Sequence, residues 1–338
     1  MNVKKTLFTA MQPTGLMTLG NYTSVLSNIK EVQNDYFCFF CIADLHAITI
    51  RNDPVKLKKS ILDTLAFYLA SGANPDKSTI FVQSSVYEHV YLNWILNCYS
   101  YVGELNRMVQ FKEKSLKNKN CINSGLLNYP ILMASDVLLY KSNKILIGED
   151  QKQHLELINK IVYRFNSLYG NIFIAPSSIN FQSNIKIMSL LNPNKKMSKS
   201  DLNVKNTIFL LENRDSIFKK IKNSVTDSER PCTIYYDKSN KSGISNLLNI
   251  MSLLTKIKIK DLEIKYEYVT YKKFKEEVAE IIIEKLFLFQ KRFFDFRKNE
   301  DYLYEVAISG AKKARIKAQK TISLVNKSIG LFNYYYNY

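Results

Sequence analysis

Apolar positions in the first half of the chain come as short runs separated by longer periodic stretches. This alternation of strand and helix signals points to a parallel α/β sheet. Residues 6–10, 36–42, 79–83 and 144–147 are the predicted strands. After the second of these, Asp53 can cap a helix over 54–71. Pro54 fits its first turn, and Ile61, Leu62, Leu65 and Leu69 form one apolar stripe. Gly72 and Pro75 end it. Another helix follows Gly148-Glu149-Asp150, with Leu155, Ile158, Val162 and Phe165 on one face. Beyond about residue 205 the strand signals fade and the pattern becomes helical. Phe274, Val278, Ile281, Phe289 and Phe293 keep near-helical spacing, and so do Ala311, Ala314, Ala318, Ile322 and Val325. The lone tryptophan, Trp94, sits in a helical apolar context and reads as core.

Composition narrows this picture only in part. At 338 residues the chain can bury a large core, and its length suggests two domains. No apolar run approaches the ~20 residues of a membrane span. Met1-Asn2-Val3-Lys4-Lys5 leads into a short strand rather than the longer apolar core of a signal peptide. A cytoplasmic protein is expected, with neither membrane nor DNA as partner. The cysteines Cys38, Cys41, Cys98, Cys121 and Cys232 are odd in number and scattered, which argues against a disulfide framework. Cys38 and Cys41 have metal-ligand spacing, but no second pair or histidine pair completes a site, and they read as buried thiols. His46, His89 and His154 are too scattered for a metal triad, so no metal site is expected.

The net charge of +18 suits a polyanionic partner. Lysines outnumber arginines 40 to 8, and Asn, Ile, Phe and Tyr are also frequent. That bias belongs to an AT-rich genome and would raise the pI of any protein it encodes. The charge is therefore compatible with RNA binding without establishing it. The lysine-rich stretch 256–275 reads as a solvated face, with an RNA-facing surface as the alternative.

Two short segments carry more chemistry. Lys196-Met197-Ser198-Lys199-Ser200 follows Pro193-Asn194, which keeps it out of regular structure, and it can present two ammonium groups to an anion. Far upstream, Thr18-Leu19-Gly20-Asn21 follows the first strand and opens a helical pattern at Val25, Ile29 and Val32. A glycine there lets a nucleotide approach the backbone and the positive helix end. The pair resembles the HIGH and KMSKS signatures of class I aminoacyl-tRNA synthetases.

Further landmarks occur in the order found in the bacterial tryptophanyl branch of that family. They include Met11-Gln12-Pro13-Thr14-Gly15, Ile42-Ala43-Asp44-Leu45-His46, Gly103-Glu104-Leu105 and Gln110 to Ser115. Gly125 to Pro130, Met133 to Tyr140, Gly148 to His154, Ser224 to Ser228 and Gly243 to Asn249 follow. The resemblance spans roughly residues 5 to 330. It implies a Rossmann-like, doubly wound sheet over 1–189, with the helices of 290–330 packing back on it. A helical domain over 190–289 would bind the anticodon, the lysine loop would lie at the junction, and 331–338 would be a disordered tail.

The resemblance also assigns roles. Gln12, Pro13, Thr14, Gly20 and Asn21 would line the ATP site, and Gly148, Glu149 and Asp150 would contact the nucleotide. Thr18 would hydrogen-bond phosphate, and Ile187 would touch adenine. Lys196, Met197, Ser198, Lys199 and Ser200 would form the triphosphate loop, with Lys114 a third cation. Asp136, in an otherwise apolar helical run, would accept the indole N–H of tryptophan; a structural carboxylate satisfied by protein donors is the alternative. Phe8, Tyr129, Met133 and Val137 would wall the amino-acid pocket, and Gln151 would help hold the substrate. Leu45 departs from the family, where glutamine is common. The implied cofactors are ATP and a magnesium ion held mainly by the phosphates. The implied partners are L-tryptophan, tRNA(Trp) and a second copy of the chain.

Three other readings compete. The tyrosyl enzyme is disfavoured because the landmarks follow the tryptophan order and no appended RNA-binding module is expected after residue 330. A small-molecule nucleotidylyltransferase is disfavoured by the lysine loop and the helical half. A non-catalytic RNA-binding protein would have no need of the intact motifs.

Overall fold

The computed structural model describes residues 4–117, 122–148, 151–179, 185–199 and 201–332. The expectations placed on Glu149, Asp150, Ser200 and the 333–338 tail lie outside these residues. The chain divides into two compact units. One comprises Met1–Gly15, Ile29–Asn180 and Phe296–Tyr338, and the other Leu16–Asn28 and Phe181–Asp295.

The first unit is built on a five-stranded sheet: β1 Thr6–Met11, β2 Phe37–Ile42, β3 Ser78–Val82, β4 Lys144–Ile145 and β5 Ser177–Ser178. The spatial order is β3-β2-β1-β4-β5, and every neighbouring pair is parallel. The order reverses between β1 and β4, where a doubly wound sheet opens a crevice beyond the strand ends. Strands β1 to β3 match the sequence expectation closely. β4 is two residues shorter, and β5 carries no apolar run to announce it. Phe40 and Cys41 are fully buried, as β2 lies inside a parallel sheet covered by helices.

Helix Pro54–Ala70 forms as its signals dictate, with the Asp53 carboxylate accepting from the Lys56 N–H at 2.9 Å. Helix Lys152–Tyr169 buries Ile158, Val162 and Phe165. Helix Glu300–Ile329 lies directly over β3. A Cβ on Gly310 would come within 1.8 Å of the Ile80 carbonyl, and Ala311, Ala314 and Ala318 keep the same face small. The return to this unit begins at Phe296 rather than at 290. The Arg297 guanidinium anchors it on Asp63 at 2.6 Å.

The second unit is mainly helical, with Arg214–Lys222, Ser242–Thr255, Ile259–Tyr266 and most of Tyr271–Lys298. Phe274, Val278, Phe289 and Phe293 are buried as their spacing predicts, while Ile282 takes the inward position in place of Ile281. The segment Leu16–Asn28 also belongs here, not with the rest of 1–189. Its backbone is bound to an extended stretch of the helical half: Leu19 donates to the Ile208 carbonyl and Leu210 to that of Met17, both at 2.9 Å.

Candidate active site

In the first unit, the segments that follow β2 and β3, the start of helix Glu88–Asn97 and one long helix converge on Asp136. Helix Ser124–Leu138, capped by Asn123, presents Tyr129, Met133 and Asp136 at i, i+4 and i+7 on one face. Asp136 is 1 % exposed. Its Oδ1 accepts from Gln83 Nε2 at 2.6 Å and from His89 Nδ1 at 2.7 Å, and its Oδ2 accepts from His46 Nε2 at 2.8 Å. Burial alone would push this carboxyl up. The hydrogen bonds and charge of His46 and His89 prevail and hold it well below the usual carboxylate range. The donor that a buried carboxylate requires is thus supplied three times by the protein, not solely by a ligand. A carboxylate has about four acceptor sites, so one on Oδ2 remains for a further donor.

Each donor is itself positioned. Gln83 follows β3, and its Oε1 accepts from the Leu45 N–H at 3.1 Å. Leu45 therefore serves through its backbone. Asp44, at the end of β2, accepts from the Ser84 N–H at 2.9 Å and holds the β2 and β3 termini together. His89 pairs on its far side with Tyr140 Oη at 2.7 Å. Tyr140 stacks on Phe39 and Phe8, which places Phe8 in the core together with Val137. Tyr129 donates to Gln110 at 3.2 Å, meets His154 Nε2 at 3.1 Å, and carries the Lys114 ammonium 4.0 Å above its ring. Lys114 is therefore seated beside the aromatic wall.

The expected nucleotide residues of this unit lie at the crevice between β1 and β4. Gln12 and Thr14 are exposed just beyond β1, Pro13 is buried between them, and Gln12 Nε2 donates to the His46 carbonyl at 3.0 Å. Gly148 follows β4, and its carbonyl accepts from the Gln151 N–H at 3.0 Å. Gln151 is the N-cap residue of the next helix, without a side-chain cap bond.

In the second unit, the two signature segments share one support. The Leu19 and Met17 backbone bonds tie the upstream signature to residues 208–210, and Thr207 Oγ1 donates to the Ser198 carbonyl at 2.9 Å. Lys196 and Lys199 are exposed, while Met197 and Ile187 are buried beneath them. Withdrawal from water pulls the Lys199 ammonium below the ordinary lysine value, although the residue as a whole is exposed. Gly20 and Asn21 open the short helix Leu19–Ser24, for which Thr18 and Asn21 form a reciprocal capping box. Thr18 is buried, and its hydroxyl already donates to Asn21 Oδ1 at 3.0 Å. The phosphate bond expected of Thr18 thus has a competitor within the chain.

The profile of a family described as tRNA synthetases class I (W and Y) matches residues 2–287. The chain belongs to that family. A tryptophan--tRNA ligase of Buchnera aphidicola subsp. Schizaphis graminum is 53% identical over 331 residues, covering 97% of this chain and 98% of the relative. The crystal structure of tryptophanyl-tRNA synthetase from Mycoplasma pneumoniae is 31% identical, with a TM-score of 0.90, covering 98% of this chain and 99% of that one. The enzyme from Campylobacter jejuni complexed with ADP and tryptophan is 30% identical, with a TM-score of 0.80, covering 96% and 99%. The fold is that of a class I synthetase, and the chain is an enzyme.

Sequence reasoning about this class I synthetase missed Gln83, His46 and His89 as the partners of Asp136. The available signal was the rule that a buried carboxylate needs donors. It says that partners exist, but not which of them a fold brings near. Trp94 is also corrected. It is 72% exposed, not core, and it shares one helix face with the exposed Tyr87, Val90 and Tyr91.

Proposed function

We propose that the chain is a tryptophan--tRNA ligase acting in the cytoplasm. It activates L-tryptophan with ATP and transfers it to the 2′-hydroxyl of the terminal adenosine of tRNA(Trp). The observation that carries this reading is the shared support of the two signatures, 18–21 with the preceding Met17 and 196–199, on residues 207–210. Segments nearly 180 residues apart in sequence are thereby built into one compact unit.

In the first step a tryptophan carboxylate oxygen forms a bond to the α-phosphorus, and the bond from that phosphorus to the bridging oxygen breaks to release pyrophosphate. In the second unit Lys196 and Lys199 stabilise the charge that gathers on the phosphate oxygens; in the first unit Lys114, seated over Tyr129, is a further cation. In the first unit Gln12, Pro13, Thr14 and Gly148 are the nucleotide residues; in the second unit Gly20, Asn21 and Ile187 have that role, and Thr18 acts through its cap on Asn21. Asp136 takes the indole N–H on its remaining acceptor site, with Tyr129 and Met133 as walls and Gln151 near the amino-acid group. In the second step the 2′-hydroxyl attacks the activated carbonyl and AMP leaves. The helical unit serves the anticodon. Among the described residues, no group of three or more His, Cys, Asp or Glu is arranged to hold a metal ion. A magnesium ion held mainly by the phosphates would add to the charge stabilisation. No helix among the described residues is long and apolar enough to cross a membrane.

ATP–pyrophosphate exchange, measured with each amino acid separately, tests the reaction. Exchange is expected with L-tryptophan alone; exchange driven better by tyrosine would replace the assignment with the tyrosyl one.

The enzyme works as a homodimer, and the apolar face of helix Glu88–Asn97 supports this through Tyr87, Val90, Tyr91 and Trp94. Trp94→Glu should shift the protein toward monomer in sedimentation velocity while its circular dichroism spectrum stays that of the folded chain. An unchanged sedimentation coefficient would remove this face from the interface.

A further inference from the structure

The motif Gly243 to Asn249 has no role in the site as described so far, yet Asn246 binds Met188, the residue paired with Lys196. Asn246, on helix Ser242–Thr255, is 3% exposed. Its Oδ1 accepts from the Met188 N–H at 2.8 Å, and its Nδ2 donates to the Met188 carbonyl at 2.9 Å. Both backbone groups of Met188 are therefore held by one amide side chain. Met188 is the antiparallel bridge partner of Lys196. Around that bridge, Ser189 donates to the Lys195 carbonyl at 2.8 Å and Met197 to that of Ile187 at 3.0 Å. The register of 187–189 against 195–197 decides which side chains face out. A slip of one residue would turn Met197 outward and Lys196 inward.

The same helix approaches the hairpin by a second route. A Cβ on Gly243 would fall 2.0 Å from the Val225 carbonyl oxygen, so only glycine permits this contact. Val225 in turn donates to the Leu190 carbonyl at 2.9 Å. The hairpin base is thus pinned to the helix at residues 188 and 190, and the lysines project from the pinned end.

We propose that Asn246 is a positioning residue for adenylate formation, fixing the register of the hairpin that carries Lys196 and Lys199. The proposal rests on the assignment of those lysines to the triphosphate. Asn246 touches no substrate and acts only through Met188. Charge stabilisation depends on placing an ammonium at the point where charge develops, and a displacement of about 1 Å can lower the rate ~10²-fold.

The test uses the full-length protein and compares Asn246→Asp, Asn246→Ala, Leu248→Ala and Lys199→Ala. Asn246→Asp keeps the shape and the acceptor for the Met188 N–H, but sets a second acceptor against the Met188 carbonyl. Leu248 is fully buried on the same helix and makes none of these bonds, so Leu248→Ala reports destabilisation alone. ATP–pyrophosphate exchange is measured below the melting temperature of every variant. Both Asn246 variants should lower kcat by ~10²-fold with tryptophan KM unchanged, while Leu248→Ala keeps its rate. Should Asn246→Ala not fold, the isosteric Asn246→Asp decides. Wild-type kcat in Asn246→Asp alongside a slow Lys199→Ala overturns the proposal alone, as does an equal loss in Leu248→Ala. A wild-type rate in Lys199→Ala overturns the lysine assignment and the proposal together.

Discussion

Lys199→Ala is expected to reduce adenylate formation by ~10²–10³ while leaving tryptophan binding nearly intact. Charge on the departing pyrophosphate develops only as the bond to the α-phosphorus breaks. An ammonium aimed at it lowers the barrier more than it strengthens ground-state binding. Single-turnover adenylate formation, with tryptophan affinity measured separately, reads the two effects apart. The same residue sets a pH limit. Partial withdrawal from water favours the neutral amine and lowers the Lys199 pKa from its ordinary 10.5. The charge is present at neutral pH and is lost as pH rises through this lowered value. The alkaline limb of kcat/KM for ATP, which reports the free enzyme, should therefore fall below the ordinary lysine range. In Lys199→Arg that limb should move up, because a guanidinium keeps its proton. An alkaline limb that does not respond to Lys199→Arg would show that another group sets it.

Asp136 is expected to give the largest effect on amino-acid choice. Three protein donors already meet its carboxylate. Asp136→Ala therefore orphans Gln83, His89 and His46, at about 1–3 kcal/mol for each buried group left unpaired. Melting temperature should fall along with activity. Asp136→Asn separates the two effects, since it keeps the volume and one acceptor. With it, tryptophan KM should rise roughly 10–100-fold, the range of a lost hydrogen bond to a charged group. ATP KM should change much less, and discrimination against phenylalanine and tyrosine should narrow. Unaltered selectivity in a folded Asp136→Asn protein would make Asp136 purely structural.

Stability should also carry the signature of this carboxylate. Its folded pKa is depressed below the ordinary 3.8. The stabilisation is fully present above that ordinary value and is lost as pH falls below it toward the folded value. Acid unfolding monitored by circular dichroism should thus lose a component below about pH 4 in Asp136→Asn, relative to the parent.

The sequence by itself determined the elements and the family. Thr6–Met11, Phe37–Ile42 and Ser78–Val82 are legible because strands in a parallel sheet are apolar on both faces. Pro54–Ala70 is legible because a cap, a first-turn proline and a 3.6-residue stripe are all local. The signatures at 18–21 and 196–199 are legible because ordered motifs survive in the linear text. Tertiary structure alone decided the rest. Ser177–Ser178 is a strand only because β4 offers it an edge. Leu16–Asn28 joins the helical unit only because Ile208 and Leu210 pair with its backbone. Trp94 reads as core by its neighbours in sequence, but the fold turns its face outward. Asp136 could be recognised as a carboxylate in need of donors, yet Gln83, His46 and His89 come from three separate elements. Local signals fix hydrogen bonds and side-chain period within a few residues, whereas long-range pairing depends on which surfaces the folded chain brings into contact.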